Sequence, residues 1–240
     1  RIYNRALPDR EVQQLYNFAP GPVAYYKFEE KQGNSVNDSS SYGNNATREG
    51  STSWIQGKYG TGVNTGVSTS DYVNAPNVDL PAGDWTAMTW SKFPLTSTGS
   101  SWHTLFRGNG GDHQVIVQRS DMQLGMYDNS GGNFRGCGFI VTNLSATWHH
   151  IAVVGTGTVQ KFYIDGVYTC QSDTKSTTDI RSIGNLWTGS QNWGQIDEAK
   201  IYNYARTSAQ IAWDYNHGGP VGWWKMNECS GATVNDSMGV

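Results

Sequence analysis

The chain has 240 residues, a formal net charge of −3 and 15% charged side chains, against roughly 25% in an average globular domain. No basic stripe is present to meet nucleic acid, and no apolar run reaches membrane-spanning length. The apolar mass is carried by aromatics, 10 Trp and 13 Tyr, on a framework with 29 Gly.

In chain order, Ile2-Tyr3-Asn4 closes a strand, and Pro8 and Asp9 open a helix whose apolar face is Val12, Leu15 and Tyr16. Pro20-Gly21-Pro22 stops that helix. Short β-branched and aromatic runs bounded by Gly, Asn, Asp or Ser then predict strands at 23–28, 87–92, 114–118, 123–127, 139–142, 151–154, 160–164 and 167–170. Asp165-Gly166 between the last two is a two-residue hairpin signal, because a type I′ turn needs positive φ at both positions. Thr207 and Gln210 have capping-box spacing, so a short helix is expected near 207–216, stopped by Gly218-Gly219-Pro220. Trp223-Trp224 opens a further strand. Many short strands with frequent turns argue for an all-β antiparallel sandwich or jelly roll with one short helix per repeat.

The two ends of the chain read alike. Ile2-Tyr3-Asn4, Ala6, Tyr16-Asn17, Pro22-Val23, Lys27 and Val36-Asn37-Asp38-Ser39 return as Ile201-Tyr202-Asn203, Ala205, Tyr215-Asn216, Pro220-Val221, Lys225 and Val234-Asn235-Asp236-Ser237. The spacing is constant to within one residue, which is the signature of a tandem array. A unit of roughly 200 residues buries its own core, unlike short solenoid repeats. The Pro/Gly junctions are too short to be flexible linkers, so neighbouring units are expected at a limited range of angles.

Several of these segments, in order, resemble the laminin-G-like, concanavalin A-like jelly-roll domains of bacterial repeat-containing surface proteins. Val23-Ala24-Tyr25-Tyr26-Lys27-Phe28 is similar to the opening strand, and Asn37-Asp38-Ser39-Ser40-Ser41-Tyr42-Gly43-Asn44-Asn45 to the family's Asn-Asp-Ser-Ser-Gly-Asn loop with an inserted Ser-Tyr. Trp85-Thr86-Ala87-Met88-Thr89-Trp90, Trp148-His149-His150-Ile151-Ala152, Phe162-Tyr163-Ile164-Asp165-Gly166 and Ile196-Asp197-Glu198-Ala199-Lys200-Ile201-Tyr202-Asn203 follow the family's order. The resemblance implies that the first and last strands lie side by side. Residues 20–218 are then a complete domain, 1–19 the last strand and helix of a preceding repeat, and 219–240 the first strand of a following one.

The resemblance also implies a structural calcium. Asp38 and Asn45 in the 38–45 loop, with Asp197 and Glu198 before the closing strand, offer the oxygen ligands that calcium takes. The alternative is an Asx-turn, with Asp38 capping backbone amides and Asp197 in a surface hydrogen bond. Trp102, Trp187 and Trp193 lie in polar loops, where they either stack on a sugar ring or anchor the loops. His149 and His150 are adjacent on a strand and point to opposite faces, so they cannot converge on one ion. No glycosidase carboxylate pair is recognisable. Cys137 and Cys170 pair if their strands are neighbours, and otherwise are buried or free thiols. Asn37, Asn45, Asn143 and Asn235 stand in Asn-x-Ser/Thr sequons, which chance explains in so polar a chain.

The expectation is therefore a non-enzymatic, extracellular or cell-surface tandem module that builds a stalk, fibre or filament. Its partners are copies of itself, joined head to tail through Ile2, Tyr3, Trp223 and Trp224. The alternative is a calcium-dependent carbohydrate-binding module of a secreted protein, with glycans as partners.

Overall fold

A computed structural model describes residues 5–10, 20–76, 78–80, 83–95, 102–108, 110–185 and 191–216. Among these residues, two antiparallel sheets of eight strands each form a jelly-roll sandwich. The first runs β14 (Val167–Ser172), β13 (Val159–Ile164), β12 (Trp148–Thr156), β7 (Trp85–Lys92), β16 (Gln195–Tyr202), β5 (Thr61–Asn64), β4 (Ser53–Gln56), with β1 (Ala24–Tyr26) also on β16. The second runs β11 (Asn133–Ile140), β10 (Gln123–Asp128), β9 (His113–Gln118), β8 (Trp102–Arg107), β15 (Ser182–Ile183), β6 (Tyr72–Asn74), β3 (Ala46–Glu49), β2 (Ser35–Val36).

Alternation decides which side chains meet between the sheets. Leu105, Val115, Val117 and Leu124 of the second sheet join Ala87, Ile151, Val153, Phe162, Ile196 and Ile201 of the first in one buried cluster. The first sheet also buries its other face. Met88, Ala152, Val154, Tyr163 and Tyr202 form a second cluster with Ile211 of the helix α1 (Ser208–Tyr215). Burying Ile211 contributes about 1.5–3 kcal/mol, and the helix is held further by Asp214, which meets Lys200 at 3.1 Å and Arg206 at 2.7 Å. The Thr207–Gln210 capping box forms as its spacing predicts.

β1 pairs with β16, Ala24 opposite Ile201 and Tyr26 opposite Ala199, so the strand after Pro22 and the strand before α1 are neighbours. Most of the flanking stretches expected to belong to adjacent repeats (1–4, 11–19 and 219–240) lie outside the described residues. The Asp165-Gly166 turn has φ of 51° and 79°, the left-handed values the hairpin requires.

One strand is displaced from its expected place at 139–142. β11 covers Asn133–Ile140, and a 3-10 turn takes Val141–Asn143. Gly136 and Gly138 break the apolar alternation of this edge strand, which hides it from a pattern reading. The question left open for the cysteines is closed. Cys137 of β11 and Cys170 of β14 form a disulfide with Cα atoms 5.4 Å apart, tying the edge of one sheet to the edge of the other.

Candidate functional site

β8, β9 and β10 lie side by side, and their register builds a polar site on the face of the second sheet turned away from the core. Arg107 stands opposite His113, which stands opposite Tyr127. One step along, Thr104 stands opposite Ile116 and Ile116 opposite Gly125. The next pair along, Val117 and Leu124, faces the core. Above these rows is a cavity of about 250 Å³ lined by Trp102, Arg107, His113, Ile116, Tyr127, Asn129 and Gln191.

Aromatic rings fix its wall. The half-buried Trp102 meets Tyr127 edge-on, with centroids 5.5 Å apart, and Phe134 at 5.4 Å. Phe134 lies low because Gly125 and Gly136 are beneath it. A Cβ on either would come within 3.0 Å of its ring.

A chain of hydrogen bonds orients the polar groups. The Thr104 hydroxyl donates to Gln191 Oε1 at 2.7 Å. Having one proton, it then accepts from His113 Nδ1–H, 2.8 Å away. His113 therefore keeps an acceptor at Nε2, and Gln191 keeps its NH2 group as a donor. The imidazole stays neutral, because burial and then the charge of Arg107 push its pKa down to about 3. Asn129 donates through Nδ2 to the Gly111 carbonyl, which leaves Oδ1 as an acceptor. Burial also lowers the pKa of the Arg107 guanidinium. Its Nε is buried without a hydrogen-bond partner.

The residues expected to hold calcium fall into two groups. Asp38 makes the Asx-turn. Its Oδ1 accepts from the amides of Tyr25 and Ser40, each at 2.8 Å, and its Oδ2 from Ser40 Oγ at 2.6 Å and the Asn44 amide at 2.8 Å. These four bonds use the four lone-pair sites of a carboxylate, so Asp38 does not fit a metal ligand. Asn45 is likewise engaged, its Oδ1 accepting from the Asp38 amide at 2.8 Å. Asp197 is different. It is fully buried, its Oδ2 accepts from the Tyr59 amide at 2.9 Å, and its Oδ1 has no partner. Burial above all, with Glu198 and Glu29 nearby, pushes its carboxyl up to about 7. Glu29 accepts from the amide of Thr61, the first residue of β5, at 3.0 Å, two residues after Tyr59. Glu198 accepts from the Tyr25 hydroxyl, whose pKa burial and that carboxylate push up. The orphaned Oδ1 of Asp197 is the one observation here that suits a cation. No cluster of three or more His, Cys, Asp and Glu in ligating position occurs among the described residues.

Of the three tryptophans named from the sequence, Trp102 lines the cavity. Trp193 is fully buried and donates through Nε1 to Ser91 Oγ at 2.9 Å, so it is a core residue with no ring face to offer. Trp187 lies outside the described residues, as do Ile2, Tyr3, Trp223 and Trp224. The two histidines diverge. His149 meets Asp165 Oδ2 at 2.6 Å and His150 packs against Trp90 and Tyr215. Arg107, His113, Tyr127, Asn129 and Gln191 carried no sequence signal, because only strand register brings them together.

Known proteins share this fold. The family profile described as concanavalin A-like lectin/glucanases superfamily matches residues 67–212. Domain 4 of AbnA, a GH43 extracellular arabinanase from Geobacillus stearothermophilus solved with arabinotriose, is similar in fold at 18% identity and a TM-score of 0.62. That match covers 81% of this chain and 98% of the domain. The receptor binding domain of botulinum neurotoxin C/D mosaic serotype is similar at 14% identity and a TM-score of 0.61, covering 82% of this chain. The ligand binding domain of botulinum neurotoxin serotype D, solved with N-acetylneuraminic acid, gives 14% identity, a TM-score of 0.59 and 82% of this chain. This chain spans about half of each toxin domain, 51%. No curated protein matches.

Proposed function

The chain belongs to the concanavalin A-like lectin/glucanases superfamily, and from that premise we propose that it is a non-catalytic carbohydrate-binding module whose sugar site is the Trp102 pocket. The observation that carries this reading is the pocket itself. A half-exposed indole is braced by two further rings above a guanidinium and above an imidazole acceptor and two amides that hydrogen bonds orient before any ligand arrives. Rings cover the apolar face of a sugar, and fixed donors and acceptors read its hydroxyls. Hydrolysis would instead need two carboxylates flanking the sugar. Two proteins of similar fold, the arabinanase domain and the serotype D binding domain, were solved with sugars bound. A cavity of about 250 Å³ is below the roughly 300–1,000 Å³ of sites for drug-sized ligands, which suits a single sugar unit of a longer glycan. The test is a glycan array followed by calorimetry on a glycan that binds. Trp102→Ala is expected to weaken that binding at least tenfold in a variant that still unfolds cooperatively at a somewhat lower melting temperature, and equal binding by the variant would refute the assignment.

The repeated segments at the two ends favour a second role alongside the first, in which copies of the domain are strung in tandem as a surface stalk or fibre. The Cys137–Cys170 disulfide supports an extracellular setting, since such bonds persist in oxidising compartments. Within this reading a structural calcium belongs at Asp197 with Glu29 rather than at Asp38, and its chemistry there is to neutralise buried carboxylate charge.

A further inference from the structure

Arg107 lines the pocket. Among the described residues its guanidinium makes no ion pair and no hydrogen bond, and its Nε is buried and unsatisfied. The nearby carboxylates are turned elsewhere. Asp112 accepts the Asn129 amide, and Asp179 meets Arg181 at 3.1 Å. A half-buried cation left this way is costly unless something pairs with it. His113, Gln191 and Asn129 are each tied into a hydrogen bond through one end, and the Arg107 guanidinium is not.

We infer that Arg107 makes this a site for an acidic sugar, holding the sugar's carboxylate while the Trp102 ring covers its apolar face. The inference rests on the sugar-site reading above and narrows it to one ligand class. A planar guanidinium matches a carboxylate through two parallel N–H donors, which a hydroxymethyl group at the same position cannot accept as a charged pair. His113 strengthens the preference. It is neutral, donates toward Thr104 and shows the pocket only an acceptor, so it receives a sugar hydroxyl and does not compete with Arg107 for the carboxylate.

The test uses the intact chain and a panel of uronic-acid and sialic-acid glycans, each beside its own methyl ester and beside neutral glycans. Binding is expected to concentrate in the carboxylate set, and esterification to weaken it at least tenfold. Arg107→Gln is expected to bring the free acid down to the level of the ester, with Arg107→Lys falling between because it keeps the charge and loses the fork. The ester comparison needs no variant, so a misfolded Arg107→Gln does not blunt the test. Esters that bind as tightly as their acids, or neutral glycans preferred by the wild-type chain, overturn the acidic-sugar inference and leave the sugar site standing. An array on which nothing binds, acidic or neutral, overturns both.

Discussion

A carboxyl that keeps its proton to about pH 7 in the fold but loses it near 4 in the unfolded chain makes stability depend on pH, and Asp197 is such a group. Between those values the unfolded state sheds a proton that the folded state holds, so this residue alone makes the protein less stable as pH rises from about 4 to about 7. His113 and His150 act the other way. Burial pushes both from 6.5 to about 3, so below about pH 6.5 the unfolded chain takes up protons that the fold refuses. Two groups outweigh one, and metal-free protein is expected to lose stability on acidification. Asp197→Asn removes the opposing contribution, so its melting temperature should fall more steeply from pH 7 to pH 5 than that of the wild type. Saturating calcium bound at Asp197 should raise the wild-type melting temperature and give it the variant's steeper pH dependence. A wild-type profile unmoved by calcium would remove the metal from this site. Asp38→Ala should cost about 2 kcal/mol or more by stranding backbone amides, equally with and without calcium, since its lone pairs are already occupied by the turn. The Asx-turn was readable in the sequence because it is local. Asp197's isolation was not, because burial comes from strands distant in the chain.

At the scale of elements, what could be read was what repeats locally. β7, β9, β10, β12, β13 and β14 follow runs of β-branched and aromatic residues, and α1 follows its capping box. Ser35–Val36, Thr61–Asn64 and Ser182–Ile183 are too short or too rich in polar residues and Gly to show a period, and they are strands only because a neighbour pairs with them. The pocket was hidden for a related reason. Arg107, His113 and Tyr127 are aligned through irregular register between Phe106 and Arg107 and between Gly125 and Tyr127, and a bulge moves every later side chain by one position. Trp102 alone was visible. Two element-level losses can be measured. Thr207→Ala should cost about 1 kcal/mol by uncapping α1. The bond between Cys137 and Cys170 spans a sequence separation of 33 and closes the open side of the sandwich, so replacing both by Ser should cost about 3–4 kcal/mol in a denaturant titration. Reductant should then have no further effect on that variant.

At the scale of the whole molecule, the geometry of the domain bears on how copies are joined. The strand after Pro22 lies against the strand before α1, and the Tyr204 hydroxyl donates to the Pro20 carbonyl at 2.8 Å. The chain therefore enters the domain beside the strand that leads out through α1, and around this junction lies an apolar groove that includes Pro20, Pro22, Tyr202 and the exposed Trp213. Ile201 and Ile211 are fully buried and Tyr202 nearly so, as are Val23, Ala24 and Tyr26 at the other end. The flanking stretches 1–19 and 219–240 repeat this pattern of apolar residues in sequence. Apolar strand segments without their own partners favour association with another chain. A contact that joins one end of the chain to the opposite end of the next copy repeats without closing unless its rotation forms a ring. The 240-residue chain is thus expected to sediment as concentration-dependent oligomers, and negative-stain images to show linear assemblies. A chain trimmed to 20–218 should remain monomeric and keep the same melting temperature and the same glycan binding, because the sandwich and the Trp102 pocket lie within it. If both forms stay monomeric at high concentration, the flanking repeats do not drive assembly and the sugar site alone carries the function. If the trimmed chain also associates, the contact lies on the sandwich itself, and the repeated ends serve only to connect one domain to the next.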